Sequence, residues 1–351
     1  MLGDSKTGHL STLAVRDLLR GHVIGREPQE IEAIWDNMFR DSLQDGRRGC
    51  VLRGISAINN ALWDLLAKEK RLPLYQLLGS PRKETVPAYA SGGYYLKGKT
   101  NQDLADEVKG YVAKGFKAVK IKVGMLSARE DALRIKACRH AIGLRIPLYL
   151  DANNAWRDAK SAIAAIQMFE EYEPGWAEEP VLPDDLEASA AIAVATPIPI
   201  ATGEIEATRW GFQEIIYRKA ASIFQADAAV CGGITEWRKI AALADAHKIP
   251  MAPHWFADLH AHIVAATSNA TMVEFFPDST ILNFMRLLKK SVVARDGELV
   301  NQKDNSFQEP DGGEPPIIGS LQPECSFISA SHSFSVRLKN STSGMVWPLS
   351  L

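Results

Sequence analysis

Three short apolar segments between residues 118 and 178 each end in a charged side chain: AVKIK at 118–122, PLYLD at 147–151 and WAE at 176–178. Segments of this length and composition are typical of buried strands. Amphipathic stretches at 128–142 and 159–171 separate them, and their periodicity favours helices. Strands that alternate with helices predict a parallel sheet with helical crossovers.

The same alternation continues on both sides of this stretch. Further helices are predicted at 102–114, 186–195 and 236–247. Eight strands in all are predicted, at 86–90, 118–122, 147–151, 176–178, 198–201, 223–226, 250–253 and 272–275. Eight parallel strands separated by helices imply a closed barrel, so the predicted fold class is α/β with a TIM barrel.

The two ends of the chain differ from this central region. Residues 1–80 predict helices, because apolar residues recur at helical spacing around Trp35 and again over 54–70. Residues beyond about 300 are polar and rich in Pro, Gly and Ser, which favours an irregular tail. We therefore expect a helical segment at 1–80, a barrel at 81–300 and an irregular tail at 301–351.

Composition argues against several classes of function. The 351 residues carry a formal net charge of -2, with 46% hydrophobic and 23% charged residues, which is typical of a soluble enzyme. This charge argues against a nucleic-acid partner, and no apolar run reaches the roughly 18–20 residues of a membrane span. The four cysteines lack CxxC spacing, and residues 1–10 lack an apolar signal core, so we expect reduced thiols in a cytoplasmic protein.

An ionisable residue stands at or just after the carboxyl end of seven successive strands. These residues, 29, 27, 26, 23, 27 and 20 positions apart, are Lys122, Asp151, Glu178, Glu204, Asp227, His254 and Glu274. One strand-helix unit of such a barrel takes about 25 residues, so each unit contributes one member. The carboxyl ends of barrel strands surround a single mouth, where barrel enzymes place their chemistry, so the seven side chains are expected to converge there.

Three of these residues predict a metal site. Asp151, Glu178 and Glu204 come from adjacent strands, and three converging carboxylates would repel each other without a cation. Ligands that are all oxygen favour a hard ion, Mg²⁺ before Mn²⁺ or Ca²⁺. Glu178 and Glu179 cannot be separated by composition, but they point to opposite sides of a strand, so one of them faces the mouth.

The remaining residues suggest proton transfer. Lys122 and His254 flank the predicted metal, and a second ammonium at Lys120 would lower the pKa of Lys122 towards that of a useful base. Asp227 could hold His254 in one tautomer. Glu274 could hydrogen-bond a substrate carboxylate if burial raised its pKa.

Two bases beside a metal-bound carboxylate predict abstraction of an α-proton through an enediolate. The fate of that intermediate stays open at this point. Reprotonation from the other face gives racemisation or epimerisation, loss of a β-hydroxyl gives dehydration, and an internal leaving or attacking group gives cycloisomerisation.

Several motifs together resemble the mandelate racemase subgroup of the enolase superfamily, over about residues 20–300. The motifs are ALWDLLAK at 61–68, PLYQLLG at 73–79, KIK at 120–122, DANNAW at 151–156, WAEEP at 176–180, TGE at 202–204, QAD at 225–227, CGGITEW at 231–237 and PHWF at 253–256. The resemblance implies a modified (β/α)₇β barrel, and a separate α+β capping domain within which residues 1–80 would form the helical part.

The resemblance also implies a set of roles. Asp151, Glu178 (the first Glu of the pair) and Glu204 would bind Mg²⁺. Lys122 would be one acid/base and the Asp227–His254 pair the other, with Glu274 contacting the substrate carboxylate or enediolate. Lys120 and Asn153 would contribute to substrate binding.

Caps of this family begin with antiparallel strands that carry specificity loops. This sequence starts near the first helices of such a cap, so we expect a truncated cap and an open barrel mouth. The usual terminal segment that returns to the cap is also not recognisable here, beyond an Asp-Gly-Gly at 311–313.

The favoured function is dehydration of a small-molecule sugar acid. A racemase, an epimerase or a cycloisomerase with the same site is the first alternative. The second is a non-catalytic remnant, with an intact barrel and a deficient cap. The family also makes a homo-oligomer one option, which the residues do not decide.

Overall fold

The barrel strands run in parallel around a ring. The computed structural model describes residues 6–80, 84–278, 291–301, 333–336 and 347–350. Barrel strands in chain order are β1 (Thr85–Gly92), β2 (Val119–Lys122), β3 (Leu148–Asp151), β4 (Trp176–Glu178), β5 (Ile200–Thr202), β6 (Ile223–Phe224) and β7 (Val273–Phe275). Neighbours from β1 to β6 pair in parallel, and β7 pairs in parallel with the other edge of β1.

The gap between β6 and β7 is bridged by a single residue. Residues 250–253 are predicted as a full strand, but only Met251 pairs there, in parallel with Phe224 on one side and Ala270 on the other. Two prolines, Pro250 and Pro253, lack the backbone N–H that a longer ladder would need. The barrel therefore closes, with its seventh position reduced to one bridge.

Helices fill the connections and the amino-terminal region. The cap consists of α1 (Lys6–Ala14), α2 (Ile31–Asp41), α3 (Cys50–Lys70) and α4 (Leu74–Leu77). Shorter turns lie at Val15–Leu19, Arg20–His22, Pro28–Glu30 and, in the barrel, Glu170–Tyr172. The barrel helices are α5 (Asn101–Ala113), α6 (Ala128–Ile142), α7 (Ala159–Phe169), α8 (Leu186–Ala195), α9 (Thr208–Arg218), α10 (Gly233–Ala246) and α11 (Ala257–Ala265). None of the described helices is long and apolar enough to cross a membrane.

Local sequence explains several of these boundaries. Thr100 and Asp103 form a reciprocal capping box at the start of α5, as Ser127 and Glu130 do at α6. Gly143, with φ of 72°, ends α6 because a residue with a Cβ is strained there. The side chains of the two capping boxes pair with backbone N–H groups that a helix end otherwise leaves without a partner.

Two hairpins depart from the sequence prediction. β8 (Val293–Arg295) and β9 (Glu298–Val300) pair around Asp296-Gly297, both with positive φ, and β9 also pairs antiparallel with the start of β1. An Asp-Gly turn between short strands is a sequence signal for such a hairpin.

The prediction of an irregular carboxy-terminal tail is wrong at two segments. β10 (Ser333–Val336) and β11 (Trp347–Ser350) pair antiparallel. The two strands pair across residues 337–346, and a local pattern rich in serine does not reveal which residues pair. Residues 302–332, 337–346 and 351 lie outside the described part of the chain.

Three aromatic rings form a plug inside the barrel. Tyr149 and Trp176 are stacked with ring centroids 3.4 Å apart, and Tyr89 packs edge-on against both. Tyr149 and Trp176 lie two residues before Asp151 and Glu178, so they point to the same side of the sheet one layer deeper. We conclude that this plug, called the aromatic plug below, is the floor of the barrel mouth.

A histidine between the cap and the barrel makes stability depend on pH. The ring of His262 in α11 stacks on Tyr75 of α4, and burial lowers its pKa from 6.5 to about 4. Because this pKa is lower in the folded chain, the unfolded chain takes up the proton first. The contribution of His262 is therefore complete above pH 6.5 and is lost as the pH falls towards 4.

We expect His262→Phe, which keeps the aromatic stack, to flatten the loss of stability between pH 6.5 and 4 by up to about 1.4 kcal/mol per pH unit. The measurement is urea unfolding at a series of pH values. The control is substitution of the exposed His140 by Asn, which should leave the profile unchanged. Identical profiles for His262→Phe and wild type would contradict this account.

Candidate active site

The carboxyl ends of three adjacent strands bring the first predicted residues together. Lys122, Asp151 and Glu178 are the last residues of β2, β3 and β4. Lys122 lies opposite Asp151 in the ladder, and Asp151 lies opposite Glu178. Glu204 follows two residues after the end of β5. Register alone therefore places these side chains in one row at the barrel mouth.

The three carboxylates of this row, called the carboxylate triad below, can share one ion. Asp151, Glu178 and Glu204 each offer an oxygen, and these three atoms lie within 4.8 Å of one another. Glu204 Oε2 is buried and accepts no hydrogen bond in the described structure. Oxygen ligands of this kind suit Mg²⁺, so the residues present fit such an ion.

The pKa values of the triad reflect its crowding. Burial, together with the charge of Asp151, raises the pKa of Glu178 to about 8. Burial also disfavours the charged form of Asp151, but Lys122 and Lys120 outweigh it and lower the pKa of that carboxyl. Carboxyl groups are thus crowded at the mouth, and a divalent cation bound there would stabilise their charged forms.

Lys120 is the central counter-ion of the cluster. Its side chain is 1% exposed, and its Nζ lies 2.7 Å from Glu178 Oε1, 2.8 Å from Glu274 Oε1 and 3.4 Å from Asp151 Oδ2. Burial favours the neutral amine, but Glu178 and Glu274 reverse this effect and raise the pKa of Lys120. Lys120 therefore remains charged and neutralises the buried carboxylates.

The predicted direction of the Lys122 pKa shift is wrong. Burial and Lys120 both lower this pKa, as the sequence suggested for Lys120, but Asp151 and the other carboxylates outweigh them and raise it. Lys122 Nζ forms a direct ion pair with Asp151 Oδ2, and the ring of Tyr94 lies 5.6 Å away. Neutralising the charge on Asp151 would lower the pKa of Lys122, since that charge is the largest cause that raises it.

Asp227 and His254 form the predicted pair. His254 Nδ1 lies 3.0 Å from Asp227 Oδ2, and His254 Nε2 lies 3.5 Å from Glu204 Oε2. Burial opposes protonation of His254, but Glu204 and Asp227 together raise its pKa to about 10. Since Lys122 contacts Asp151 and His254 faces Glu204, the two basic side chains lie at opposite ends of the carboxylate triad.

Glu274 differs from the sequence prediction. Burial alone would raise its pKa, as predicted, but Lys120 and His254 outweigh burial and lower it to about 2. Its Oε2 accepts a hydrogen bond from the backbone N–H of Trp255, at 2.8 Å. Glu274 is therefore an ionised acceptor in this structure, and the raised pKa on which its predicted hydrogen bond to a substrate carboxylate depended is not found.

The contacts of neighbouring residues distinguish Glu178 from Glu179 and show how Asn153 meets the triad. Glu178 belongs to the triad, whereas Glu179 accepts a hydrogen bond from Asn154 Nδ2, at 3.0 Å. The backbone N–H of Asn153 donates to Asp151 Oδ1, at 3.0 Å, and its side chain is exposed. Asn153 thus contacts the metal-ligand candidate through its backbone.

Sequence reasoning missed one residue that orients the triad. The indole Nε1 of Trp176 donates to Glu178 Oε2, at 3.1 Å. Its position two residues before Glu178, on the same face of β4, was the available signal. The aromatic plug is thus tied to the carboxylate triad by a hydrogen bond.

The chain belongs to the mandelate racemase and muconate lactonizing enzyme family of the enolase superfamily. Residues 103–304 match the model of the enolase C-terminal domain-like family. Residues 5–79 match the model of the mandelate racemase / muconate lactonizing enzyme N-terminal domain. The amino-terminal helices are therefore part of the family's capping domain, and the predicted α/β barrel with a cap is confirmed.

Named relatives share much of the chain. Arabinonate dehydratase of Saccharolobus solfataricus is 35% identical over 295 residues, covering 82% of this chain and 78% of that protein. The 3,6-anhydro-alpha-L-galactonate cycloisomerase of Streptomyces coelicolor is 35% identical, covering 76% and 72% respectively.

Among solved structures, L-talarate dehydratase from Polaromonas sp. JS666, complexed with Mg and L-glucarate, has a TM-score of 0.79 at 31% identity. That comparison covers 88% of this chain and 84% of the other chain. A racemase from Streptomyces coelicolor A3(2) with bound magnesium has a TM-score of 0.77 at 32% identity, covering 83% and 79%.

We expect Mg²⁺ to raise the melting temperature of the protein by a few degrees, because a ligand at 100 times its Kd stabilises the fold by about 2.7 kcal/mol. Glu204→Gln should remove most of this shift. The control is Glu206→Gln, which changes a buried carboxylate two residues away that contacts Arg48 rather than the triad. Equal shifts in both variants, measured by differential scanning fluorimetry, would contradict the assigned metal site.

Proposed function

We propose that this protein is a Mg²⁺-dependent enzyme that abstracts the α-proton of a sugar acid and dehydrates it to a 2-keto-3-deoxy acid. The observation that carries this proposal is the carboxylate triad with Lys122 and His254 at its two ends. Named relatives that are dehydratases of sugar acids support the choice of substrate class.

Charge and geometry divide the roles. Asp151, Glu178 and Glu204 would hold Mg²⁺, which supplies positive charge where negative charge develops on the substrate carboxylate. Lys122 and His254 lie at opposite ends of the triad, and Mg²⁺ would offset the charges of Asp151 and Glu204 that raise their pKa values. Either side chain could then take the α-proton, according to the configuration at that carbon. Removal of that proton leaves an enediolate.

His254 then serves as the acid. Asp227 accepts the hydrogen bond from Nδ1 and raises the pKa of His254, which favours the protonated imidazole that acts as an acid. Where Lys122 has taken the α-proton, the C–O bond to the β-hydroxyl breaks, and a proton from His254 makes the leaving group water. The enol that remains tautomerises to the 2-keto acid.

Lys120 and Glu274 support this chemistry without transferring the proton. Lys120 would neutralise the buried charge beneath the substrate and, with Glu274, define where its carboxylate lies. Asn153 would contribute to substrate binding from the loop after β3. We further propose that the enzyme acts in the cytoplasm, in keeping with free thiols at Cys50, Cys138 and Cys231.

Cycloisomerisation is the second candidate. A relative that is 35% identical is a cycloisomerase, and the same abstraction step would begin that reaction. The two candidates part after the shared intermediate, so they are distinguished by product and not by the first step.

We expect the protein with Mg²⁺ to exchange the α-proton of at least one sugar acid with solvent in D₂O, followed by proton NMR. Lys122→Ala and His254→Asn should each abolish exchange in one stereochemical series and spare the other. Glu204→Gln should abolish both, whereas Glu206→Gln should abolish neither. Exchange that survives Glu204→Gln would exclude the metal-assisted mechanism, and no exchange across a broad panel would favour a non-catalytic remnant.

We expect a sugar-acid library incubated with the protein and Mg²⁺ to yield 2-keto-3-deoxy acids, detected by semicarbazide derivatisation. Lys122→Ala should reduce this product at least about 100-fold, since general base catalysis contributes roughly 10²–10⁴-fold. A lactone or ring-opened isomer in place of the keto acid would favour cycloisomerisation.

A further inference from the structure

The backbone of Ala228, which follows Asp227, is held at its N–H and at its carbonyl by two buried side chains. His260 Nε2, in α11, accepts a hydrogen bond from the backbone N–H of Ala228, at 3.0 Å. Asn60 Nδ2, in the cap helix α3, donates to the carbonyl of Ala228, also at 3.0 Å. His260 is fully buried and Asn60 is 7% exposed, so water does not readily replace either contact.

Ala228 lies in a turn that fixes the carboxylate of Asp227. Asp227 Oδ1 accepts the backbone N–H of Ala229, at 2.7 Å, and the Asp227 carbonyl accepts those of Val230 and Cys231. These contacts leave Oδ2 for His254. The carbonyl held by Asn60 and the N–H that binds Oδ1 belong to the same peptide, between Ala228 and Ala229. Rotation of that peptide would therefore turn the carboxylate away from the imidazole.

The Asn60 contact belongs to a polar stripe on α3. Asn59 and Asn60 accept the backbone N–H groups of Thr235 and Ile234, and Ser56 accepts that of Gly232. These groups lie at the start of α10, where a helix lacks internal acceptors for its first N–H groups. The cap thus completes the amino-terminal end of a barrel helix, and only Asn60 of this stripe reaches back to Ala228.

His260 suits an acceptor role because its ring is neutral. Burial, the largest cause, lowers its pKa to about 4. The lone pair on Nε2 is therefore available to the Ala228 N–H at neutral pH. A neutral ring at this place, 3.6 Å from Asp227 Oδ1, also adds no charge that would compete with His254 for the carboxylate.

We propose that Asn60 and His260 are positioning residues that hold the carbonyl and the N–H of Ala228, a clamp that aims Asp227 at His254. The cap would then act on one of the two proton-transfer groups and not on the other, since Lys122 lies on β2 at the far end of the carboxylate triad. This inference rests on the proposed function only for its activity readout.

The test compares three variants of the full chain. His260→Phe removes the acceptor and keeps an aromatic ring, and Asn60→Leu removes the donor. Asn59→Leu is the matched control, because Asn59 is equally buried on the same helix and makes two hydrogen bonds to Thr235 but none to Ala228. A purely structural role for the stripe would make all three variants alike.

We expect His260→Phe and Asn60→Leu to lower α-proton exchange in the His254-dependent series by about 10- to 100-fold, since small misplacements cost this much. Exchange in the Lys122-dependent series should change by less than about twofold, as for distant sites. In Asn59→Leu the ratio of the two series should equal that of the wild type. Equal losses in both series, or an unchanged ratio in both clamp variants, would overturn the clamp.

A second measurement keeps the clamp testable without activity. In ¹⁵N-histidine spectra, the Nδ1 resonance of His254 should report a hydrogen bond to Asp227 in wild type and Asn59→Leu, and lose it in His260→Phe. The same spectrum in all three proteins would overturn the clamp. If wild type exchanges no sugar acid, the proposed function fails and this spectrum still decides the clamp.

Two more conservative substitutions test the clamp if the variants above do not fold. His260→Gln retains an acceptor and should keep the exchange ratio of the wild type. Asn60→Asp keeps the acceptor for Ile234 but loses the donor to Ala228, and should lower the ratio. The opposite pattern would contradict the assigned contacts.

Discussion

Buried charge at the barrel mouth is the constraint on which the rest of the structure depends. Lys120, Asp151, Glu178 and Glu274 are each at most 1% exposed, and Lys120 Nζ lies within 3.4 Å of an oxygen of each of the three carboxyl groups. An isolated buried charge costs several kcal/mol, so none of these groups could be buried without the others. The ammonium of Lys120 contacts all three carboxyl groups, and Lys122 adds a second positive charge at Asp151. A divalent cation would also stabilise the charged form of Glu178, whose pKa burial raises.

The fold keeps this cluster in place from below and from the side. The aromatic plug fills the barrel under it, and the Trp176 indole binds the Glu178 carboxylate. The cap contributes buried hydrogen bonds to the loop that follows Asp227, including one from the Trp35 indole to the carbonyl of Gly232, at 2.7 Å. The cap therefore supplies contacts that barrel loops lack by themselves.

Much of this arrangement could be predicted from sequence, because the barrel repeats with a regular period. Glu274 is the middle residue of β7, and the other six ionisable residues end a strand or follow a strand or the Met251 bridge closely. Parallel register then brings these positions together. The helices 128–142 and 186–195 were also predicted with the bounds the structure has, since their periodicity and caps are local.

The parts that could not be predicted depend on contacts distant in sequence. The pKa shifts of Lys122 and Glu274 went the other way because their strongest neighbours, Asp151 and Lys120, come from other strands. The local sequence does not indicate the role of His260, since its partner Ala228 is 32 residues away. Met251 pairs alone because the prolines at 250 and 253 limit the ladder, a signal that was present but not used.

The central claim is that the carboxylate triad holds one divalent ion between the two basic side chains. Anomalous diffraction from crystals soaked in Mn²⁺, which accepts the same oxygen ligands, tests this most directly. The account predicts one strong peak, about 2.0–2.3 Å from an oxygen of each of Asp151, Glu178 and Glu204, with Lys122 and His254 on opposite sides of it. A peak elsewhere, or none at a saturating concentration of Mn²⁺, would contradict it.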